Sequence, residues 1–528
     1  MNKRLVLLIV SCFIGAAALA GALFCEKRSD ARLIRPTQNY TDEMILSLPY
    51  FDLLAPKGEN RNLASDVMSY SLGDGYIHLL LPENVSSKAV VVYIRDIDGN
   101  YLARRVFDFT QKVVIGPWEV LLEHHNLPVL YFETGDHAIY EKMIASEKKD
   151  IICDGNMHLC VSRKNSKENG WYREYFSISE GKFAGVSASL QGRGSTSWTE
   201  GKKKSYSLRM KKAVNLLGMG KNKNWNLIGN SSDPTLLKNL IFNDLSKNIG
   251  IDYQPEMRSI NLYVDGVYQG VYLLTTKISV DKDRVALRQG DYFYRMDPPI
   301  AQQGIEYSSS TWFEDGGTRP LAELLYPENA SEEDFERASM ILQSFIDAVE
   351  SEDPDMLESV CDVESLSKYY WIQEASMNFD AWQRSVYMYY NKNDGKIHMG
   401  PVWDMDRTLG SIYVKEGVDA SFDSPYGWKV RYGGWYRSLF KNRLFIDRVS
   451  YDYYEGGVRE TLINSVKALE NYRNDLGEDA ELDYIFYGHT PLAHLNGIYV
   501  NTDNYDEYFE DMSDFYKNRV NWIDKNMK

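Results

Sequence analysis

The chain has 528 residues, 44% of them apolar and 25% charged, so it is long enough for two or three domains and too apolar to be disordered. Its 59 basic and 75 acidic residues give a net charge of −16, and a surface of that sign repels phosphate backbones, which argues against a nucleic-acid partner. Five cysteines are too few for a disulfide-stapled scaffold.

An uncharged apolar run, residues 5–24, follows Lys3 and Arg4 at the N-terminus. As a helix it would span about 30 Å, the thickness of a bilayer core. The basic residues on its short side predict that the bulk of the chain lies outside the cell. We therefore expect residues 1–25 to be a single-pass signal anchor, with a cleaved or lipidated signal peptide as the alternative, and 26–50 to be a tether. Either version exports the protein.

Short apolar runs separated by turn residues fill residues 51–126. The dipeptide Asp98-Gly99 between two of them predicts a hairpin turn. Several strands at such close spacing predict a small all-β, sandwich-like domain.

Two cysteines, Cys153 and Cys160, bracket a segment that begins with Asp154-Gly155 and that we interpret as a hairpin turn. If the two strand ends face each other, the thiols could form a disulfide in an oxidising compartment. Two buried free thiols are the other possibility, and the sequence leaves both open.

Strands followed by helices are predicted from 127 to 528, which favours an α+β domain. Residues 233–250 predict a helix with Asp233 as its cap, Pro234 in its first position and Gly250 at its end. Asp265-Gly266 predicts a hairpin, and Ser331 predicts the start of a long helix.

Two basic segments are candidate phosphate ligands. In "LQGRGSTSW" (190–198), glycines flank Arg193, and a guanidinium can bind two phosphate oxygens at once. In "GKKKSYSLRM" (201–210), strand parity would turn Lys204 inward with Tyr206, and Lys203 outward. A plain turn and a solvated basic edge are the competing interpretations.

Three acids near the end of a predicted β-hairpin are candidate catalytic groups. Asp380 follows a predicted helix, and Asp404 and Asp406 follow the second strand in "PVWDMDRTLG" (401–410). Phosphoryl transfer needs one carboxylate to orient the acceptor hydroxyl and another to hold Mg²⁺. Paired carboxylates also serve glycoside hydrolysis, and Asp406 could simply cap the next element.

Taken together, the motifs resemble the spore-coat protein H (CotH) kinase family over residues 127–525. The segments that carry the resemblance occur in the family's order: "GRGSTSW", "KKSYSLRM", "DPTLLKN", "DGVYQGVYLLTTKI", "NFDAWQRSVYMYY" and "GPVWDMDRTLG". The resemblance implies an atypical, highly diverged protein-kinase-like fold. It also implies binding of ATP and magnesium and the phosphorylation of serines on secreted or coat proteins.

By this resemblance, Asp380 is the catalytic aspartate, and Asp404 and Asp406 are the metal-binding acids. Arg193 and the pair Lys203 and Lys204 would contact the nucleotide phosphates. Two positions depart from the expected pattern. Ser385 stands where a conventional kinase has a metal-binding asparagine, and Thr276 stands where the family often has glutamate.

The leading hypothesis is therefore an exported, membrane-tethered protein kinase that transfers the ATP γ-phosphoryl group to serine hydroxyls. The alternative is a non-catalytic surface or coat protein on the same scaffold, whose β-domain makes the contacts. Glycoside hydrolysis is the third reading.

Overall fold

The computed structural model describes residues 40–48, 51–56, 59–60, 68–71, 76–81, 89–96, 100–160, 182–194, 196–199, 201, 203–265, 267–297, 304–311, 320–410, 424–487 and 504–527. The predicted anchor at 5–24 lies outside these residues. Among the helices that are described, none combines the length and apolar character that a membrane span requires. The described residues form two compact units, which divide between His125 and Asn126.

The first unit contains two small sheets that share one apolar core. One sheet has the strand order β1-β4-β5 and the other β2-β3-β7-β6. Inward side chains from both sheets, among them Val92 and Leu79, belong to the same cluster. Its elements are α1 (Asp42–Leu46), β1 (Phe51–Leu54), β2 (Met68–Ser71), β3 (Tyr76–Leu81), β4 (Ala89–Asp96), β5 (Tyr101–Asp108), β6 (Val113–Ile115) and β7 (Trp118–His124).

The second unit begins with a closed seven-stranded barrel of order β10-β11-β12-β14-β13-β8-β9. The barrel is antiparallel except where β8 pairs with β13. Its side chains alternate, and those that point inward form one apolar core. Its strands and the helices between them are β8 (Val129–Thr134), α2 (His137–Ala145), β9 (Ile152–Cys160), β10 (Lys182–Arg193), α3 (Thr196–Thr199), β11 (Ser205–Asn215), β12 (Lys221–Ile228), α4 (Lys238–Ile249), β13 (Met257–Val264) and β14 (Val267–Thr276).

The hairpin predicted between Cys153 and Cys160 is wrong. Both residues lie on the single strand β9, which pairs with β8 on one side and β10 on the other. Seven strand residues span about 23 Å, whereas a disulfide needs Cα atoms within about 7 Å of each other. The two thiols therefore cannot bridge, and Cys153 is a buried free thiol.

A five-stranded sheet of order β16-β17-β15-β18-β19 and a group of helices complete the second unit. One large apolar cluster joins this sheet, α4 and the C-terminal helices. The elements are β15 (Tyr292–Met296), β16 (Gly304–Glu306), β17 (Leu321–Tyr326), α5 (Glu332–Glu350), α6 (Pro354–Val360), α7 (Val363–Ser376), β18 (Val386–Asn391), β19 (Lys396–Met399), α8 (Tyr436–Leu439), α9 (Arg443–Tyr454), α10 (Val458–Lys467), α11 (Leu469–Leu476), α12 (Glu478–Tyr487) and α13 (Tyr505–Asn526), with a short 3₁₀ helix at Val430–Tyr432. Mixed strands and helices of this kind form an α+β fold.

Apart from the failed hairpin at Cys153–Cys160, local sequence signals locate most of these elements correctly, except for the start of α4. The hairpin at Asp265-Gly266, the capping residue Ser331 and the stop at Gly250 are confirmed. Helix α4, however, begins at Lys238 rather than at Pro234. The Asp233 carboxylate instead accepts hydrogen bonds from the backbone of Thr235 and Lys238, which shapes a separate turn before the helix.

A buried ion pair ties the C-terminal helix α13 to α7. Glu374 and Arg519 are both fully buried, and their side chains pair directly. Glu374 also accepts the backbone N–H groups of Lys429 and Arg431 at 2.7 Å. Since breaking a fully buried pair leaves an uncompensated charge, this pair fixes α7, α13 and residues 429–431 as one block.

Candidate active site

Asp380 lies in a tight loop immediately after α7. The helix ends at Met377, whose φ of 56° turns the chain sharply, and the Asn378 side chain accepts the Asp380 backbone N–H at 3.0 Å. The Asp380 side chain is 20% exposed. Its Oδ1 accepts no hydrogen bond within the described part of the chain and lies 3.9 Å from Arg384 Nε. Burial raises the pKa of Asp380 to about 6, against the opposing effect of Arg407 and Arg384.

Asp404 is exposed and lies on a loop that follows β19. We call the region around Asp380, Asp404 and Arg193 the cleft. The Asp404 φ of 65° is a left-handed conformation that is uncommon for residues other than glycine. Ser385, which also has a positive φ, donates its hydroxyl to Asp404 Oδ2 at 2.9 Å. Strained backbone of this kind clusters at functional sites. Ser385 therefore links the two acid-bearing segments, because it follows Asp380 in sequence and contacts Asp404 directly.

The first turn of α4 holds the loop that carries Asp404. Asn239 Oδ1 accepts the Met405 backbone N–H at 2.8 Å, and Lys238 Nζ donates to the Thr408 carbonyl at 3.0 Å. Asn239, Lys238 and Thr408 are all buried. We call these two contacts the α4 clamp. They fix the backbone on both sides of Asp406, at Met405 and at Thr408.

Asp406 faces the α4 clamp. Burial and the nearby Asp404 raise its pKa, and Lys238 and Arg407 oppose that effect. The buried Asp233 also acts on Asp406, whose own side chain is half-buried. Of the two acids, Asp404 is the one exposed to a ligand.

Arg193 lies at the end of β10, across the cleft from the acids. Its guanidinium stands over the Trp403 ring at 5.7 Å from the centroid. Burial lowers the pKa of Arg193, while Asp404 and Tyr387 act to raise it. Asp404 therefore interacts electrostatically with both Arg193 and Asp380.

Lys203 and Lys204 are not arranged as the alternation of side chains along a strand predicts. Strand β11 starts at Ser205, so the alternation does not extend back to the lysines. Lys203 is the buried one, paired with Asp483 and lying over Tyr272 and Tyr487. Lys204 is partly exposed and donates to the Trp198 carbonyl. Lys203 therefore joins the barrel to α12, and the prediction that Lys204 points inward is wrong.

A polar pocket with a volume of about 350 Å³ adjoins the end of β14. Its lining includes Thr276, Lys277, Arg284 and residues 253–256. Arg193 lowers the pKa of Lys277, in addition to the larger effect of burial, so the two cations are close. The volume falls within the range of small-ligand sites.

Comparison of the chain with models of known protein families finds a match to one family. The family model described as "CotH kinase protein" matches residues 190–523, which include every candidate site residue. The chain belongs to the CotH kinase protein family. A search of curated proteins finds no match.

The sequence of this CotH kinase family member did not reveal Asp297, Arg295 and Arg384 as site residues. Asp297 interacts electrostatically with Asp404 and Asp380, Arg384 with Asp380, and Arg295 with Asp297. Asp297 follows β15, and its place beside the acids depends on how β15 pairs with β18. Of these three residues, only Arg384 could have been found from the sequence, because it stands four residues after the predicted catalytic residue Asp380.

The loop that carries Asp380 is supported by two glycines. A Cβ atom on Gly434 would come 2.3 Å from the Trp382 ring, and Gly433 is equally close. Gly457 has a similarly positive φ of 82°, but nothing lies within 4 Å of the place where its Cβ would be.

We expect Gly434→Ala to lower the free energy of unfolding by about 1–3 kcal/mol more than Gly457→Ala. Both variants acquire the backbone strain of a left-handed alanine, but only the first also displaces Trp382. Urea unfolding followed by tryptophan fluorescence measures both. An equal loss of unfolding free energy in the two variants would show that Trp382 can move aside at no cost in stability.

A second prediction concerns the buried charge on Asp380. Because its native pKa of about 6 exceeds the ordinary value of 3.8, the folded protein binds this proton more tightly than the unfolded chain. The stabilisation that this tighter proton binding gives the folded protein is fully present below about pH 4 and is lost as the pH rises through 6. We expect Asp380→Asn to be more stable than wild type by about 2–3 kcal/mol at pH 8, with the difference vanishing near pH 4.

Urea unfolding at both pH values, in the presence of a chelator, checks this expectation. Asp514→Asn, on the exposed face of α13, controls for the loss of one charge. A pH-independent difference between Asp380→Asn and wild type would contradict the assignment of a buried charge.

Proposed function

We propose that this CotH kinase family member is an ATP- and Mg²⁺-dependent protein kinase that phosphorylates serine hydroxyls on exported proteins. The observation that carries the proposal is that Asp404 interacts electrostatically with both Asp380 and Arg193, whose guanidinium lies over the neighbouring Trp403 ring. Phosphoryl transfer is catalysed mainly by positioning and by charge stabilisation, and this cleft contains groups for both.

The residues of the cleft fit a metal–nucleotide ligand. Asp404 offers an exposed carboxylate, and Asp380 Oδ1 is a buried acceptor without a hydrogen bond in the described structure. Mg²⁺ usually takes only one or two protein carboxylates and completes its shell with phosphates and water. Asp404 would hold the ion, with Asp406 behind it. When bound, the ion would neutralise charge on the phosphates.

Each protein group then has a distinct task. Arg193 would pair with phosphate oxygens through its planar guanidinium, while Trp403 restricts its orientation. Asp380 would accept the hydrogen bond of the serine hydroxyl and orient its oxygen toward the γ-phosphorus. An acid whose pKa is raised to about 6 remains largely ionised at neutral pH, yet accepts a proton more readily than an exposed aspartate.

We further propose that the seven-stranded barrel and the sheet-plus-helix region are the two lobes of a diverged kinase-like fold. The position of the acids supports this, because they follow the barrel and lie on loops of the second region. The uncharged run at 5–24 supports export with retention at the membrane.

One feature favours the non-catalytic alternative. Ser385 occupies one oxygen of Asp404 with a hydrogen bond, where an asparagine would offer a metal ligand. Under this alternative the family scaffold would be retained as a binding surface, without phosphoryl transfer.

Labelled ATP separates the two functions. We expect the full chain with Mg²⁺ to transfer the γ-phosphoryl label to protein serines, with casein as a general acceptor. Asp380→Asn should still bind Mg²⁺–nucleotide but lose transfer by at least about a hundredfold, because the acceptor hydroxyl is no longer oriented. Asp404→Asn should lose the Mg²⁺-dependent part of nucleotide binding.

Asp291→Asn provides the matched control, because Asp291 is a buried aspartate whose oxygens are taken by backbone N–H groups. If neither Asp380→Asn nor Asp404→Asn lowers the rate of phosphoryl transfer, the proposed active site is refuted. Failure of the wild type to bind nucleotide would support the non-catalytic alternative.

A further inference from the structure

A basic segment, residues 424–446, lies beside the loop that carries Asp380. It contains two lysines and three arginines but no aspartate or glutamate, although the whole chain has a net charge of −16. A local excess of one sign of charge attracts ligands of the opposite sign, even where the surrounding surface repels them. The basic segment is therefore a candidate surface for an acidic partner.

The basic segment is anchored to the helix that leads into the Asp380 loop. Glu374, near the end of α7, accepts the backbone N–H groups of Lys429 and Arg431 at 2.7 Å. Because both donors belong to the backbone, these two contacts fix the position of the segment without using the charge of either side chain.

A second contact joins the basic segment to the Asp380 loop itself, through Trp382. A Cβ atom on Gly434 would come 2.3 Å from Cγ and Cδ1 of the indole ring. Nε1, which is bonded to Cδ1, forms no hydrogen bond within the described part of the chain, and Trp382 is only 9% exposed. Buried N–H groups almost always have a partner, so this donor indicates a ligand that supplies a hydrogen-bond acceptor.

Arg437 supplies an exposed positive charge three residues after Gly434. Its guanidinium donates to the Tyr432 carbonyl from Nε and Nη2 at 3.3 Å, and it pairs with no carboxylate among the described residues. The other exposed cations of the basic segment, Lys441 and Arg443, each pair with a carboxylate. Arg437 therefore keeps N–H donors for a carboxylate from outside the chain.

Tyr432 adds an exposed aromatic ring to this surface. Its side chain is 61% exposed, and its carbonyl accepts the guanidinium of Arg437. A tyrosine ring offers a large contact area at little cost in side-chain entropy, which suits the binding of a peptide. An apolar ring, a buried N–H donor and an exposed guanidinium thus lie on segments that contact each other.

We propose that Trp382, Tyr432 and Arg437 form a docking surface for the protein segment that presents the acceptor serine. The surface would select segments with an aspartate or glutamate a few residues from that serine. Arg437 would pair with the acidic side chain, and Trp382 Nε1 would donate to a carbonyl oxygen of the segment. This assignment rests on the proposed function, because it places the serine at Asp380.

Peptide binding tests the proposal without depending on phosphoryl transfer. Fluorescein-labelled peptides with a central serine carry either glutamates or glutamines at the flanking positions, and fluorescence anisotropy measures their binding to the full chain with Mg²⁺ and AMP-PNP. We expect the wild type to bind the glutamate peptide at least about tenfold more tightly than the glutamine peptide.

Arg437→Gln should abolish this preference and leave the binding of the glutamine peptide unchanged. Arg443→Gln is the matched control, because it removes an exposed arginine of the same segment that is already paired with Asp447, and it should keep the preference. Trp382→Phe removes the indole N–H but keeps an aromatic ring. It should weaken the binding of both peptides by a similar factor, about threefold or more.

The outcomes separate the docking surface from the proposed function. Equal binding of the two peptides by the wild type, or a preference that survives in Arg437→Gln, would overturn the docking surface. If the wild type then still phosphorylates serines, the proposed function stands. If instead the glutamate peptide binds through Arg437 but receives no phosphoryl group from ATP, the docking surface stands and the proposed function fails.

Discussion

The geometry of the cleft depends on the α4 clamp. Two buried contacts, Asn239 Oδ1 to the Met405 N–H and Lys238 Nζ to the Thr408 carbonyl, fix the loop on either side of Asp406. Together with the Ser385–Asp404 hydrogen bond, they fix the position of Asp404 relative to Asp380, which is carried by a different element. The clamp also gives a physical role to "DPTLLKN", since its lysine and asparagine make both contacts and its aspartate shapes the turn before α4.

Buried charge is the other organising feature of this region. Asp297 and Asp380 both have a pKa raised to about 6, and burial is the largest cause in each case. Three acids facing one cleft repel each other, and the arginines around them offset only part of that repulsion. An arrangement of this kind destabilises the ligand-free protein and favours binding of cations. It is therefore better explained by ligand binding than by stability.

Local signals predicted the elements and the main acids. Asp-Gly turns, the cap at Ser331 and the glycine after α4 act through their immediate neighbours, so the sequence alone reveals them. The prediction that Lys204 points inward failed because it assumed that β11 begins two residues before Ser205. The Cys153–Cys160 hairpin failed because Asp154-Gly155 can equally lie within a strand paired on both sides. Asp297 could not be found, because its position near the acids depends on the pairing of β15 with β18, two strands that are distant in sequence.

The most direct test of the account is a crystal structure of the full chain with AMP-PNP and Mn²⁺, examined for anomalous scattering from the metal. We expect a Mn²⁺ peak about 2.1 Å from an Asp404 oxygen, with the phosphates against Arg193 and the γ-phosphate facing Asp380. A nucleotide bound elsewhere, or a metal peak remote from both acids, would contradict the claim that these residues form one active site.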